Sequence, residues 1–169
     1  QDFSDSNGIL RAIEKCNGTG DCRKSVEAGG TMCPSYRATK NEKDTTRGRA
    51  NVLREFLTQS DRPNKFNHQE IKEVLDLCIS CKGCKSECPS NVDMATYKAE
   101  FLYQYQKENG FSFRNKVFAN NNKANQFGAK FSGITNSLFT HKISSGIIKK
   151  MMGVAPERSL PKVAKKSLR

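Results

Sequence analysis

The run Cys78-Ile-Ser-Cys81-Lys-Gly-Cys84-Lys-Ser-Glu-Cys88-Pro89 places four thiols at spacings of two, two and three residues and closes on a proline. Three thiolates so closely spaced can each hold one iron of a single 4Fe–4S cube, while the fourth, before proline, is turned away to ligate another cluster. Zinc sites use C-x2-C pairs separated by a longer stretch. The triple spacing with Cys-Pro therefore favours an iron–sulfur cluster over zinc, and it requires a second cysteine group elsewhere in the chain.

That group is Cys16-Asn-Gly-Thr19-Gly-Asp-Cys22, joined by a ten-residue loop to Cys33-Pro34. Cys16, Thr19 and Cys22 repeat the spacing of Cys78, Cys81 and Cys84, with threonine in the middle place. Crossing the two groups predicts the ligation. Cys78, Cys81 and Cys84 with Cys33 make a four-thiolate site for a 4Fe–4S cluster; Cys16 and Cys22 with Cys88 make a three-thiolate site. A hydroxyl is a hard, poor substitute for thiolate. The corner at Thr19 is left to water, to Asp21 or to nothing, so this site is expected to carry a 3Fe–4S cluster or a 4Fe–4S cluster with one labile iron. Thr19 also reads as a turn residue between two glycines, and the two readings are compatible. Gly18, Gly20 and Gly83 either let backbone N–H groups approach the sulfides or serve only the turns.

Other polar residues carry weaker signals. Lys82 and Lys85 read as offsets to an anionic cluster or as ordinary exposed lysines. His68 and His141 are isolated and read as surface or capping residues rather than ligands. Arg47 and Arg49 either salt-bridge locally or touch a cluster loop. No Ser/His/Asp set, phosphate-binding glycine loop or carboxylate pair stands out.

All seven cysteines fall in these groups. An odd number so placed argues for metal ligation in a reducing compartment rather than a disulfide framework. The expected location is cytoplasmic, with the membrane face reached only through partners. No apolar run approaches transmembrane length, and the polar N-terminal stretch of mixed charge does not read as a signal peptide. Gln1 in place of Met suggests a piece of a longer protein. Hydrophobic residues make up 36% of the chain and Trp is absent. That is a thin supply for a large core, and bound clusters can staple such a chain. The net charge of +12 is uneven: residues 109–169 carry 12 Lys+Arg against one acid, Glu157, and residues 1–108 carry 17 against 16. The expected division is a cluster domain over 1–108 and a basic helical extension and linker over 109–169, the latter facing a charged partner.

Helices must position the cysteines, because no stretch alternates long enough for a strand. A helix is expected from Asp2 to Lys15, with Ile9, Leu10 and Ile13 as its stripe, then loop to Pro34 and a polar connector over 35–44. Asp44 or Thr45 caps a helix over Thr46–Thr58 that buries Ala50, Leu53, Phe56 and Leu57. Asn67 with Glu70 resembles a capping arrangement before Ile71, Val74, Leu75 and Cys78. Ser90 or Asn91 caps a helix over Val92–Glu108, with Met94, Tyr97, Phe101, Leu102 and Tyr105 on one face. Residues 111–152 hold two or three short amphipathic helices broken at Asn120–Asn122. Residues 153–169 read as an extended tail.

The segments Cys16–Lys24, Thr31–Tyr36, Thr46–Asn51 and Leu77–Met94 together resemble the iron–sulfur region in the C-terminal half of large FAD-linked oxidases of the D-lactate/D-2-hydroxyglutarate dehydrogenase type. The match covers about residues 14–102. The arrangement is also similar to the α-helical ferredoxin fold of succinate dehydrogenase iron–sulfur subunits, which pairs a C-x5-C three-iron site with a four-cysteine site. The ten-residue loop before Cys33 departs from that pattern. The resemblance implies an all-α, two-cluster, ferredoxin-like domain with a basic helical C-terminal extension. It implies an electron-transfer domain taking electrons singly from FAD on an upstream flavin-binding domain that oxidises a D-2-hydroxy acid, with a cysteine-rich domain downstream. With no flavin site or substrate pocket of its own, the chain is expected not to turn over substrate alone.

Two other readings stand beside this one. The first is an iron–sulfur subunit of another oxidoreductase, of the glycerol-3-phosphate or heterodisulfide reductase kind. The second is a zinc or nucleic-acid-binding module in which Phe113, Phe118, Phe127 and Phe131 interleave with basic residues. The core-like helical spacing of those phenylalanines argues against nucleic acid. The basic region is expected to dock on the flavin domain or on the domain that follows.

Overall fold

The computed structural model describes residues 2–165. The chain divides into two compact units, Gln1–Gly110 and Phe111–Arg169. Among the described residues it is all-α, with no strand.

The first unit holds α1 (Ile9–Glu14), α2 (Pro34–Thr39), α3 (Thr46–Gln59), α4 (Gln69–Asp76), α5 (Gly83–Glu87) and α6 (Met94–Asn109). Helix α3 is its centre, and α1, α4 and α6 pack on it. Apolar residues recur at helical spacing on each of these helices. They meet as one core of Ile13, Ala50, Leu53, Leu57, Ile71, Leu75, Met94, Tyr97 and Phe101. Thr45 caps α3 as expected, its Oγ1 accepting from the Gly48 N–H at 2.8 Å, which satisfies one of the orphan donors of the first turn.

Several boundaries differ from the expectation for physical reasons. The helix expected over Asp2–Lys15 is interrupted: Ser4–Ser6 is a 3-10 turn, and Asn7 and Gly8 sit at φ of 53° and 105°. Helix α1 starts only after them. The polar connector over 35–44 contains α2, which has no apolar stripe to announce it. Pro34 at its first position supplies a φ suited to helix entry. The Asn67–Glu70 arrangement does not form. His68 is the N-cap of α4 and makes no capping bond, while Asn67 Oδ1 accepts from Asn109 Nδ2 at 2.7 Å. Asp93, not Ser90 or Asn91, caps α6, accepting from the Thr96 N–H at 3.2 Å.

The second unit holds α7 (Phe113–Ala119), α8 (Asn121–Lys130), α9 (Ser132–Thr140) and α10 (Lys142–Met152). Each packs on the next, and α10 also meets α7. There are four helices rather than two or three, because the backbone leaves helical geometry at Phe131 (φ −122°, ψ 43°), between α8 and α9, although the apolar spacing runs on through it. Phe113, Phe118, Phe127 and Phe131 are 50% to 69% exposed, so their core-like spacing does not make a core within this unit. The stretch after α10 is tied down rather than free. Val163 N–H donates to Asn136 Oδ1 at 2.8 Å, and Asn136 Nδ2 donates to Val163 O at 3.0 Å. The last part of the expected tail, residues 166–169, lies outside the described residues.

Candidate functional site

The two cysteine loops have the same backbone course. Each hangs from a helix end: Cys16 N–H donates to Ile13 O at 3.1 Å past α1, and Cys78 N–H donates to Leu75 O at 3.0 Å past α4. Left-handed residues follow at matching places, Gly18 (φ 79°) with Ser80 (φ 55°) and Gly20 (φ 84°) with Lys82 (φ 60°). Each loop then re-enters a helical turn, with Arg23 N–H bonded to Gly20 O at 2.8 Å and Lys85 N–H to Lys82 O at 2.9 Å. Alternating left-handed and ordinary residues turns successive N–H groups towards a common concavity. Glycine meets this at no steric cost in the first loop, whereas Ser80 and Lys82 adopt it against their preference. Thr19 holds the same place in its loop as Cys81 in the other.

A carboxylate clasp brings the two groups together. Glu87, between Cys84 and Cys88, accepts from the Thr31 N–H and the Thr31 hydroxyl, both at 2.6 Å, and from the Met32 N–H at 3.1 Å. A Cβ on Gly30 would stand 2.5 Å from the Glu87 carboxylate, and one on Gly83 would stand 3.0 Å from Thr31 Oγ1. The segment before Cys33 is therefore pressed against α5. As a result, Cys33 lines one cavity with Cys78, Cys81 and Cys84, and Cys88 lines another with Cys16, Cys22 and Thr19. Both cavities are tight, about 20 Å³ and 10 Å³. Cys22, Cys33 and Cys84 are buried, Cys16, Cys78 and Cys88 are half-buried, and Cys81 is exposed. Among the described residues, no three Cys, His, Asp or Glu side chains form a group that could hold a single metal ion.

Helix N-termini supply the positive field at both places. Thr46, the first residue of α3, donates its N–H to Cys33 Sγ at 3.1 Å and places its hydroxyl 3.0 Å from the same sulfur. A hydrogen bond from the Cys33 thiol lowers Cys22 to about 6, helped by the Arg47 N–H and the Thr45 hydroxyl and opposed by burial. Cys33, the donor in that pair and itself buried, is pushed far up. Burial raises Cys84 as well, against N–H bonds from Met94 and Ala95 at the start of α6. The first turns of α3 and α6 thus aim partial positive charge at sulfurs of both groups.

The secondary candidates separate. Arg47 does both things expected of it, pairing with Glu42 at 2.8 Å and donating to Gly18 O at 3.3 Å in the first cysteine loop. Arg49 is a buried brace, bonded to Val74 O, Ser35 Oγ and Asp44 O. Lys82 and Lys85 lie 4.0 Å and 3.5 Å from Asp93. His68 is buried rather than on the surface and bonds Ser60 Oγ at 2.8 Å; His141 is exposed at the start of α10. Glu87, Thr46 and Lys98 were not found from the sequence. Lys98 Nζ collects the carbonyls of Leu75 (2.7 Å), Asp76 (3.2 Å) and Cys78 (2.7 Å), closing the end of α4 at the second loop. The one available signal was Glu87 sitting between two cysteines of the run.

Residues 15–93 match the family of 4Fe–4S dicluster domains. The chain is similar to D-2-hydroxyglutarate dehydrogenase of Haemophilus influenzae, 25% identical over 94% of this chain and 18% of that protein. The D-2-hydroxyglutarate dehydrogenase of Escherichia coli is 28% identical over 56% of this chain and 13% of its own length. The glycolate oxidase iron–sulfur subunit of Escherichia coli is 31% identical over 52% of this chain and 18% of its own length. The chain spans less than a fifth of each of these curated relatives. No solved structure matches it. Among the described residues, no helix is long and apolar enough to cross a membrane.

Proposed function

We propose that the dicluster domain is a one-electron wire in an FAD-linked dehydrogenase of D-2-hydroxy acids. Cys33, Cys78, Cys81 and Cys84 hold a 4Fe–4S cluster. Cys16, Cys22 and Cys88 hold a second cluster, of the 3Fe–4S type or 4Fe–4S with one labile iron, with Thr19 at the corner that has no thiolate. The observation that carries this reading is the exchange of Cys33 and Cys88 between the two groups: each lines the cavity of the other group's triplet. The Glu87 clasp holds the Cys33 segment beside the second loop, and the N–H groups of Thr46, Arg47, Met94 and Ala95 suit anionic clusters bound to thiolates. In the cluster-bound protein Cys22 and Cys33 would each give up the thiol proton and hold iron as thiolates.

The relatives' names supply the chemistry upstream. Both 2-hydroxyglutarate and glycolate are 2-hydroxy acids, and oxidising one to a 2-oxo acid releases two electrons. A flavin on a domain preceding this one accepts the pair, and the clusters, which take one electron each, pass them on singly to an acceptor. The match to a glycolate oxidase iron–sulfur subunit supports a second form of the same reading, with the flavin on a separate polypeptide.

Iron and sulfide counts with EPR on anaerobic protein test the cluster assignment. An oxidised 3Fe–4S signal, or one appearing on mild oxidation, is expected, and Thr19→Cys should abolish it in favour of a second 4Fe–4S signal on reduction. Two 4Fe–4S signals on reduction of the parent protein that return in full after mild oxidation and re-reduction would refute the three-thiolate site. A zinc content with no sulfide would refute the cluster reading altogether.

A further inference from the structure

The second unit surrounds a space where a core is expected. Among its described residues no large apolar side chain is fully buried. A cavity of about 600 Å³ instead lies between α7, α8, α9 and α10 and the strap that follows them, within the roughly 300–1,000 Å³ of small-molecule sites. Its wall is largely apolar, with Val117, Phe139, Ile148, Met152, Leu160 and Val163 all half-buried. The strap is fixed by the Asn136–Val163 pair and by Lys149 Nζ donating to Pro156 O at 3.0 Å.

Arg114 and Arg158 belong to the same lining, which contains no carboxylate. Arg114 lies over the Phe118 ring, 5.5 Å from its centre, and beside Gly153 at the end of α10. Residues 109–169 offer a single acid, Glu157, against 12 Lys+Arg, so the positive charge at the lining is largely uncompensated. An apolar wall gains by losing water to an alkyl chain, and a guanidinium fork holds carboxylate or phosphate oxygens in charge-assisted bonds. We propose that this cavity binds one amphiphilic anion, its carboxylate or phosphate head on Arg114 and Arg158 and its aliphatic chain against Val117, Phe139 and Ile148.

Calorimetric titration of the whole chain with monomeric saturated carboxylates, with lysophosphatidate and with the matching alkyl alcohols tests this. One-to-one binding is expected, tightening about fourfold per added CH2 until the cavity is full. The alcohol of equal length should bind at least about tenfold more weakly, and Arg114→Ala or Arg158→Ala should weaken the anion by about 10- to 100-fold. Both arginines are exposed, and an unchanged helical circular dichroism spectrum shows that a variant is folded. The two anion arms separate a free carboxylate ligand from a lipid phosphate. Equal binding of alcohol and anion, no saturable binding of either anion, or binding to anionic vesicles without binding of monomers would each overturn the proposal. None of these outcomes depends on the clusters.

Discussion

Glu87 shows how much one side chain can do for two distant cysteine groups. Its carboxylate receives three hydrogen bonds from Thr31 and Met32, 56 and 55 residues away in sequence. These bonds, the Thr31 hydroxyl first, hold it below the ordinary glutamate value of 4.5. A carboxyl with a lowered folded pKa stabilises the fold at pH above its unfolded value and loses that contribution as pH falls through the folded one. Anaerobic cluster bleaching should therefore accelerate as pH drops from 4.5 downwards. Glu87→Gln, which keeps the shape but not the charge, should bleach faster at neutral pH and show less acceleration over that window. Parallel pH profiles for the two proteins would mean that the Glu87 charge does not govern cluster stability. The cysteine pattern and its threonine gap are legible in the sequence because ligand spacing is local. The clasp is not, because Glu87 meets Thr31 only after two loops and several helices have folded. Thr46 escapes for a different reason: its N–H donor is a property of where a helix begins, common to every residue type but proline.

At the scale of elements, α3 organises the first unit, and its cap and stripe could be read directly. Thr45 was one of the two caps expected, and Ala50, Leu53 and Leu57 are buried as their spacing implies. Helix α2 could not be read, since Ser35, Tyr36, Arg37, Ala38 and Thr39 form no apolar stripe and the helix rests on Pro34 and on tertiary contacts. Tyr97 lies between these cases. Its place on the buried face of α6 was evident, but its partner was not: the hydroxyl donates to Ala12 O on α1 at 2.7 Å. Burial raises this phenol from 10.0 to about 12. A group with a raised folded pKa contributes stability below its unfolded value and loses it as pH rises through the folded one. Tyr97→Phe should therefore lower unfolding stability by about 1 kcal/mol at neutral pH. The gap between the proteins should shrink between pH 10 and 12, as read from urea midpoints under anaerobic conditions. A constant gap across that window would mean that the hydroxyl does not titrate as part of the fold.

The two units differ in what holds them together, and that difference should govern how the whole chain comes apart. The first has a continuous buried core from Ala12 to Phe101, with the cysteine groups joined to it. The second has exposed apolar residues on every helix, including Phe113, Phe127, Leu138 and Ile143, and 12 Lys+Arg over residues 109–169. A segment with few buried apolar contacts opens at low free energy, and a protease that cuts after Lys and Arg has many sites there. Brief trypsin treatment of the cluster-loaded chain should therefore cut first within residues 114–150. It should leave a brown fragment whose mass places its end at Arg114 or Lys116 and whose EPR spectrum matches that of the whole chain. The same digestion in the presence of a saturating amphiphilic anion should slow the first cut while leaving the fragment unchanged. Early cleavage at Arg23, Lys24 or Arg37, with loss of colour, would mean that the cysteine unit is the weaker of the two.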